Sequence, residues 1–348
     1  MRETMPALSL HKLASPLLYS SGSYTRAWRR QAAKRPLALV LVYHRVVADH
    51  AAANGHYGIE RGVSAEVFEA QLRFMLKHFV PVQASAVLDE TSTPLRFAVT
   101  LDDGYEDNYR VAAPILQKLG ICATFFVVSG YVGTDRIFWW EQLAAMMRST
   151  TVLQLDTQAV LPELVRPEGL PPVLPLQTDP LREQAYERLC RAIRTDAHAA
   201  LPGHLERLSV ALGVKPREEG REYGLMNWQQ LQTLVAQGHE IGGHTASHSN
   251  VIGLDADLIR QEVVSSCAHI ADRLDAPVRS FAYPYGVFDR QRNVAAEALA
   301  SAGCRVAFTG DKGAVRGQLN AYELPRAVLN RRYPFACAFN VQDALNRT

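Results

Sequence analysis

The sequence has few cysteines and lacks a long apolar run. Its five cysteines are scattered over 348 residues without Cys-x-x-Cys spacing, which argues against a disulfide framework and a cysteine-based zinc site. No apolar stretch approaches the ~20 residues of a transmembrane helix. His11 and Lys12 interrupt the N-terminal leucines where a secretory signal would need a continuous apolar region. We therefore expect a folded cytoplasmic protein with reduced cysteines.

Acidic side chains are nearly missing from the first 36 residues. This segment has seven basic residues and one acid, Glu3, whereas the rest of the chain holds 34 of the 35 acidic and 30 of the 37 basic residues. We predict that residues 1–36 form a basic N-terminal arm that is largely solvated. Its leucines could alternatively form an amphipathic helix in peripheral contact with an anionic membrane. Nucleic acid is not expected as a partner, because no aromatic and basic binding module follows.

Beyond this arm, short apolar runs alternate with amphipathic helical patterns. Ser64 is a suitable cap for a helix in which Phe68, Leu72 and Met75 recur at helical spacing. Strands are predicted at 37–42, 96–101, 121–128, 240–241, 278–282 and 304–308. Further helices are predicted near 109–119, 228–237, 258–274 and 290–302. This alternation is typical of parallel sheets, so we expect an α/β fold.

The alternation is interrupted between about residues 135 and 223. Six prolines lie between Pro162 and Pro180, a density that breaks regular structure. Helical patterns lie nearby, at 183–194 and 198–212. We predict a mainly helical, proline-containing insertion at 135–223, which divides one domain into two parts at 37–134 and 224–348.

Two adjacent carboxylates mark the end of the second predicted strand, in the segment AVTLDDGY. Like charges this close are unfavourable unless a cation or a shared proton relieves them. Neighbouring side chains of a strand point to opposite sides, so Asp102 and Asp103 can face one site only where the strand breaks, which Gly104 permits. One carboxylate could then bind a cation while the other acts as a base. The alternative is an ordinary surface turn.

A histidine pair follows a later strand, in the segment GHEIGGHTASHSN. His244 and His248 are four residues apart, a spacing at which two imidazoles can bind one divalent cation. One aspartate with two histidines is a common ligand set that leaves coordination positions open for water and substrate. Together with the aspartates, the pair predicts a catalytic metal site.

These motifs resemble those of the polysaccharide deacetylase family (NodB homology, carbohydrate esterase family 4). The segment TLDDG resembles the family's Thr-Phe-Asp-Asp-Gly motif, HTASH its His-Ser/Thr-x-x-His motif, and FAYPYG its third motif around Pro-Tyr. The similarity covers about residues 37–132 and 225–325. It implies a distorted (β/α) barrel of the NodB-homology type, with the site at the carboxyl ends of the strands.

The resemblance also implies roles for individual residues. Asp102 would be the general base, while Tyr285, through its backbone N–H, and Pro284 would belong to the substrate and oxyanion site. The implied metal ligands are Asp103, His244 and His248. Zinc is the expected metal, with nickel, cobalt, iron or manganese as alternatives that the same ligands can bind.

The chain departs from the family pattern at two places. Ala282 stands where the family has an arginine that orients the catalytic aspartate, so either another cation replaces it or Asp102 is tuned differently. The C-terminal Leu-x-x-His motif that supplies the general acid is missing, because the last 35 residues contain no histidine. His44 follows the first strand, which adjoins the last strand in a closed barrel, and is our candidate acid. The alternative is a structural histidine at the barrel rim.

The activity that the resemblance implies is removal of an N-acetyl group from an amino sugar in a glycan or a lipid-linked glycan precursor. Such an enzyme is a hydrolase acting on carbon–nitrogen bonds other than peptide bonds. One alternative is an N-deformylase of a lipid-linked or nucleotide-linked amino sugar, since the same chemistry removes a smaller acyl group. Another is a catalytically silent glycan-binding barrel, suggested by the missing arginine. Trp139 and Trp140 are expected to pack rather than to bind sugar.

Overall fold

The apolar runs of the sequence form a sheet at the centre of the molecule. The computed structural model describes residues 10–48, 62–166, 169–194, 200–215, 224–252, 254–288, 294–317, 319–329 and 335–347. The strands are β1 (Leu37–Tyr43), β2 (Val46–Val47), β3 (Val63–Ser64), β4 (Val80–Pro81), β5 (Leu95–Leu101), β6 (Thr124–Val127), β7 (Gln154–Asp156), β8 (Val173–Pro175), β9 (Glu240–Gly243), β10 (Ser280–Ala282), β11 (Val306–Lys312), β12 (Val315–Arg316) and β13 (Leu324–Arg326).

Helices surround this sheet. They are α1 (Leu10–Ser20), α2 (Ser23–Lys34), α3 (Ala65–Leu76), α4 (Ala113–Leu119), α5 (Trp139–Ser149), α6 (Thr157–Val160), α7 (Asp179–Arg194), α8 (Leu201–Leu212), α9 (Trp228–Ala236), α10 (Ala256–Arg260), α11 (Ser266–Leu274), α12 (Val294–Ser301) and α13 (Phe335–Asn346). Short π-helical turns precede α4 and α11, at Asn108–Ala112 and Gln261–Ser265. Short 3₁₀ turns lie at Ala84–Ala86, Pro162–Leu164 and Pro284–Gly286.

The main sheet is parallel and nearly closes on itself. Its strand order is β12-β1-β5-β6-β9-β10-β11-β13, with β4 beside β5, and only β12 runs antiparallel to its neighbour. Leu41 in β1 is bridged to Ala327, directly after β13. The Val42 N–H donates to the Ala327 carbonyl (3.1 Å), and the Ala327 N–H donates to the Val40 carbonyl (2.7 Å). The predicted distorted barrel is confirmed, and its first and last strands are neighbours.

The residue patterns of the strands and helices explain how the barrel wall forms. Strands β1 and β5 are buried along almost their whole length, as parallel strands covered by helices require. Helix α3 begins at Ser64, whose hydroxyl accepts the Val67 N–H (3.4 Å). Its apolar residues Phe68, Leu72 and Met75 lie in the main core, as their spacing predicts.

Strand β9 has a glycine, Gly242, where residues of the neighbouring strands β6 and β10 approach its backbone closely. A Cβ at this position would lie 2.4 Å from Cδ1 of Phe126 and 2.8 Å from the carbonyl oxygen of Ser280. Atoms that close would overlap, so glycine leaves the room that the fully buried Phe126 ring occupies. This close approach sets β9, and the loop that follows it, between β6 and β10.

The described residues between 135 and 215 form a mainly helical layer with an apolar core of its own. Helices α5, α7 and α8 contribute large buried side chains to it, among them Trp140, Leu143, Tyr186 and Leu208. Tyr105 belongs to the same cluster and joins it to the barrel. Strands β7 and β8 pair antiparallel within this layer. They are absent from the sequence-based prediction because three-residue strands are too short to show an alternation.

Residues 10–34 form α1 and α2 and do not extend as a free arm. Trp28 is fully buried, and its indole N–H donates to Oε1 of Gln342 in α13 (3.1 Å). Tyr24 and Ala32 are buried on the same face of α2. The expectation of a largely solvated arm is therefore wrong for residues 23–34, because an apolar face of this helix belongs to the core. Residues 1–9 lie outside the described part of the chain.

Several predicted elements differ in extent from those observed. The strand predicted at 121–128 begins only at Thr124, because Gly120 ends α4 in a left-handed conformation and the chain needs residues to turn back. The helix predicted at 290–302 is described from Val294 onwards. No helix in the described ranges has both the length and the apolar content needed to cross a bilayer.

Candidate metal centre and active site

Asp102 and Asp103 lie at the carboxyl end of β5, where the chain turns sharply. The strand ends one residue earlier, and φ is 75° at Asp103 and 80° at Gly104. The Asp102 N–H donates to the carbonyl of Tyr43 in β1 (2.9 Å), which anchors the start of the turn. As a result, both carboxylates are buried at the same end of the barrel.

His244 and His248 lie on the loop after β9, and Glu262 holds that loop in place. One carboxylate oxygen of Glu262 accepts the N–H groups of Ala246 (2.9 Å) and Ser247 (3.0 Å). The other oxygen accepts the Ser247 hydroxyl (2.7 Å). Hydrogen bonds to an ionised acceptor are stronger than neutral ones. Glu262 therefore fixes the backbone between the two histidines.

Three buried side chains, Asp103, His244 and His248, form a group that we call the Asp103 cluster, and their potential ligand atoms lie within 4.8 Å of one another. The Nε2 atoms of His244 and His248 lie 3.3 and 3.2 Å from Oδ1 of Asp103, yet this buried oxygen has no hydrogen-bond partner. Nδ1 of His244 lies 2.7 Å from the Ala282 carbonyl oxygen. We assign the ring proton to Nδ1, which leaves the Nε2 lone pair free. Converging lone pairs around an unpartnered buried oxygen fit a divalent cation.

The ionisation of these groups also suits a cation. Burial by itself raises the pKa of Asp103, but the two imidazoles outweigh burial and hold this pKa well below its usual range. Burial lowers the pKa of His248, which favours the neutral imidazole that binds metals. Burial also lowers the pKa of His244, but Asp103 outweighs it, so the pKa is raised overall. A raised pKa favours a second ring proton on His244. A bound cation would displace this proton, because deprotonation of the ligands accompanies metal binding.

Asp102 is paired with Arg326 from β13. Nη1 of Arg326 lies 2.8 Å from both carboxylate oxygens, and both side chains are buried. Nε of Arg326 donates to the carbonyl of Thr309 (3.1 Å), which fixes the guanidinium. A buried carboxylate without a partner costs several kcal/mol, so Arg326 offsets the cost of burying Asp102 and holds its carboxylate in one orientation. Arg326 supplies the cation that is missing at Ala282.

Four residues of the site have backbone angles that non-glycine residues rarely adopt. The φ angles are 75° at Asp103, 63° at Thr245, 61° at His248 and 59° at Tyr285. Elsewhere in the described ranges, Asp275 is the one further non-glycine residue with a positive φ. Such conformations cost about 1–3 kcal/mol each and persist where the surrounding structure enforces them. Their concentration here indicates a site whose geometry is constrained for function.

His44 follows β1 at the same end of the barrel. It is half-buried and lines the same cavity as both aspartates. Its carbonyl accepts a hydrogen bond from the side-chain amide of Asn108 (2.8 Å). The next residue, Arg45, donates through Nε to Asp107 (2.8 Å). These contacts fix the backbone at the end of β1, so His44 is held at the end of the barrel where the Asp103 cluster lies.

The site opens into a cavity of about 220 Å³. The helical layer supplies one wall, with Trp139 and Trp140 at the start of α5 and Arg194 at the end of α7. The Trp139 indole N–H donates to the Tyr285 hydroxyl (3.0 Å). The Trp140 ring centroid lies 4.7 Å from that of His248. Both tryptophans pack, as predicted, but they also line the cavity.

Pro284 and Tyr285 form the turn after β10. Tyr285 lines the cavity, and its ring packs edge-on against His248 with a centroid distance of 4.7 Å. Burial raises the pKa of the Tyr285 hydroxyl, so this group stays neutral. Pro284 is buried and is not among the residues that line the cavity. It begins the 3₁₀ turn that contains Tyr285.

Three residues of the site lie outside the sequence motifs. Arg326 stands in the segment ELPRAV, which becomes readable only once that segment is known to be the last barrel strand. Glu262 and Arg194 lie on charged helical segments, where nothing local distinguishes them from solvated side chains.

A nearly closed parallel barrel with an Asp-His-His cluster at the carboxyl ends of its strands defines the NodB-homology class of α/β barrels. The polysaccharide deacetylase family model matches residues 89–158 and 214–307. The chain belongs to the polysaccharide deacetylase family. The matched ranges include both aspartates and both histidines, whereas His44 and Arg326 lie outside them.

Individual relatives support the fold. The Bacillus subtilis protein YxkH, whose name assigns it provisionally to the polysaccharide deacetylases, is 28% identical over 152 residues, 40% of this chain and 50% of YxkH. The chain thus spans about half the length of that relative. The deacetylase PplD of Streptococcus pyogenes, solved with acetate, has a TM-score of 0.56 at 14% identity over 89% of this chain and 99% of PplD. IcaB from Ammonifex degensii has a TM-score of 0.55 at 19% identity over 88% and 97%.

Proposed function

We propose that the protein is a metal-dependent hydrolase that removes an N-acetyl group from an amino sugar in a glycan or a lipid-linked precursor. The main support is the position of the Asp102–Arg326 pair beside the Asp103 cluster in one cavity. A cation site next to a separate carboxylate is what activation of a water molecule requires. The family implies a carbohydrate substrate. A cavity of about 220 Å³ suits a small group, since drug-sized ligands typically fill ~300–1,000 Å³.

Asp103, His244 and His248 would hold the cation. Zinc is the first choice for one carboxylate and two imidazoles, and nickel, cobalt, iron and manganese are the alternatives. When bound, the cation lowers the pKa of water and polarises the acyl oxygen. All three ligand side chains are buried, so bulk water competes little with the cation for their ligand atoms.

The side chains around the ligands carry the proton transfers. Asp102 accepts a proton as a water oxygen attacks the acyl carbon, while Arg326 keeps the carboxylate oriented. The Tyr285 backbone N–H is the proposed donor to the oxyanion that develops. His44 donates a proton to the sugar nitrogen as the carbon–nitrogen bond breaks. The products are acetate and a sugar amine.

Acetate release from N-acetylated sugars by the metal-loaded protein tests this proposal. Asp103→Asn should lose bound metal and turnover together. Asp102→Asn should keep the metal and lose ~10²–10⁴-fold in kcat, the usual contribution of a general base. Asp257→Asn is the matched control. It changes a carboxylate that is 96% exposed, and we expect it to alter neither the metal content nor kcat.

The same assay separates the alternatives. Formate release from a parallel N-formyl series, without acetate release from the first series, would assign a deformylase. Metal binding with release of neither acid would contradict hydrolysis and leave a glycan-binding barrel.

His44→Gln tests proton donation to the leaving amine. Cleavage of an amide needs a protonated nitrogen, whereas an activated ester loses a phenolate without that help. We expect a large loss of turnover on the amide, a small loss on the ester, and unchanged metal content. Equal losses on both substrates would make His44 a structural residue.

Peripheral contact with the inner face of a membrane is a further part of the proposal. Helix α2 buries one face and exposes three arginines on the other, Arg26, Arg29 and Arg30. Basic side chains near an anionic lipid surface contribute ~1 kcal/mol each. The five free cysteines fit a cytoplasmic location.

A further inference from the structure

We propose, resting on the proposed function, that the amino sugar carries a phosphate group and that a basic groove beside the active site binds this phosphate. The basic groove is a second cavity of about 1110 Å³. It is defined here by the cations that line it, Lys34, Arg35, Lys312, Arg316 and Arg347.

The basic groove adjoins the active-site cavity. Gly310 and Lys312, towards the end of β11, line both cavities. The other walls of the groove come from the end of α2 and from the segment between β12 and β13. A ligand whose acyl group lies at the Asp103 cluster can therefore extend past Lys312 into the groove.

The charges of the groove are unbalanced. Two carboxylates, Asp311 and Glu323, line it against five cations. Of these cations, Arg347 is paired with Asp343 at 2.9 Å, and Arg316 donates to a neutral glutamine.

Three cations of the groove lack an ion-pair partner among the described residues. The side chains of Lys34, Arg35 and Lys312 are exposed and make no hydrogen bond or ion pair with another described residue. An exposed lysine or arginine is individually unremarkable, but three unpaired ones around one concavity create a positive potential that attracts anions. Arg194 adds a fourth cation at the active-site cavity, with its guanidinium carbon 5.9 Å from the Tyr285 ring centroid.

A phosphate matches this arrangement better than a neutral glycan does. Arginine and lysine are the side chains that bind phosphate oxygens most strongly, arginine through paired N–H donors and lysine as a point charge. A polymer of deacetylated amino sugars would carry ammonium groups, which the groove would repel. The groove thus favours a single amino sugar with an attached phosphate over a long, progressively deacetylated chain.

Two carriers share this chemistry, a nucleoside diphosphate and a polyprenyl phosphate. Three ligands that contain N-acetylglucosamine distinguish the two carriers. They are the methyl glycoside of this sugar, the sugar linked to uridine diphosphate, and the sugar linked to a short-chain polyprenyl phosphate in neutral detergent. Binding is measured by calorimetry on the metal-loaded protein. We expect at least one phosphate-bearing ligand to bind at least about tenfold more tightly than the methyl glycoside, an advantage that shrinks at high salt. The ligand with the larger advantage identifies the carrier.

A charge-neutralising double variant locates the interaction. Arg35→Gln with Lys312→Gln should reduce the affinity advantage of the phosphate-bearing ligand by about tenfold. Lys77→Gln with Arg260→Gln removes the same charge from exposed positions elsewhere and should leave the advantage unchanged. Equal affinities for all three ligands, or an advantage that survives in the Arg35 and Lys312 variant, would overturn the inference.

Turnover separates this inference from the proposed function. Acetate released at equal kcat/KM from all three ligands, without preferential binding, would support the hydrolase and overturn the phosphate site. Preferential binding that depends on Arg35 and Lys312, without release of any acyl group, would support the phosphate site and contradict the hydrolase.

Discussion

At the scale of single residues, Asp102 and Asp103 are neighbours with different surroundings. Asp102 faces a guanidinium at 2.8 Å, whereas Asp103 faces two imidazole nitrogens at 3.2 and 3.3 Å. The left-handed turn at Asp103 separates the two side chains within one cavity. These different surroundings suit the separate roles of metal ligand and general base that the proposed function gives the two carboxylates.

Arg326 gives a prediction at this scale. Arg326→Gln leaves Asp102 buried without a cation, so the free energy of unfolding should fall by about 3–5 kcal/mol. Turnover should also fall, because the carboxylate loses its orientation. Arg326→Lys should restore part of both, since an ammonium keeps the charge but lacks the planar fork. Chemical denaturation, kcat and metal content are the measurements.

An exposed ion pair provides the matched control for Arg326. Arg305 pairs with Asp89 on the surface at 2.6 Å, with side chains 48% and 43% exposed. Arg305→Gln should cost at most about 1 kcal/mol, as exposed pairs generally do. A cost for Arg326→Gln no larger than this would show that the buried pair is not the anchor of Asp102.

At the scale of secondary structure elements, the position of β9 depends on Gly242. Gly242→Ala would place a methyl group 2.4 Å from the Phe126 ring, so we expect a loss of about 1–3 kcal/mol of stability from overpacking. Metal affinity should also fall, because the histidine loop follows this strand. Gly203→Ala is the control: nothing lies within 4 Å of its added methyl group in α8, so it should stabilise by up to about 1 kcal/mol. Comparable stabilities for the two variants would contradict the packing argument.

The start of β9 also gives a pH prediction. His239 is buried, its Nδ1 accepts the Ala123 N–H (3.1 Å), and burial lowers its pKa below 6.5. As pH falls below 6.5, the unfolded chain binds this proton before the folded protein does. Stability is therefore lost between pH 6.5 and the lowered folded-state pKa, with a slope of at most about 1.4 kcal/mol per pH unit.

His239→Asn isolates this effect. Asparagine keeps an acceptor oxygen near the position of Nδ1 but does not titrate in this range. Its melting temperature should depend less on pH between 7 and 5 than that of the unaltered protein. Parallel melting profiles for both proteins would exclude His239 as the source of the acid sensitivity.

The elements differ in how far the sequence predicts them. β1 and β5 are readable because each is seven residues long and almost every residue is buried by the barrel and its helices. β13 is three residues long and contains a proline and an arginine, so no local pattern identifies it as a strand. The role of Arg326 depends on that strand and on barrel closure, which is a non-local property. The Asp103 cluster was predictable because its three side chains occur in two compact motifs, TLDDG and HTASH.

At the scale of the whole molecule, the site draws on parts of the chain that are far apart in sequence. The ranges that match the family model supply Asp102, the three side chains of the Asp103 cluster, and both Trp139 and Trp140. Arg194 comes from the part of the helical layer outside these ranges, while the ends of the barrel supply His44 and Arg326. Substrate selection is therefore expected to depend on the parts outside the motifs.

The N-terminal helices give a prediction at this scale. Trp28 is fully buried, so deleting residues 1–34 would expose the core and confound any test of membrane contact. Changing three exposed arginines of α2 to glutamine, Arg26, Arg29 and Arg30, avoids this problem. The triple variant should keep its melting temperature and lose association with anionic vesicles, because about 1 kcal/mol per basic residue is removed. Unchanged vesicle sedimentation would exclude α2 as the membrane contact.

The bridge between Leu41 and Ala327 determines when, during translation, the protein can acquire its site. During synthesis, Arg326 follows His44 only after strands β2 to β12 have been made. Until the last strand docks beside β1, Asp102 lacks its cation and the barrel stays open. A nascent chain that lacks residue 326 is thus without the complete set of groups, and we expect the proposed activity to be absent from it.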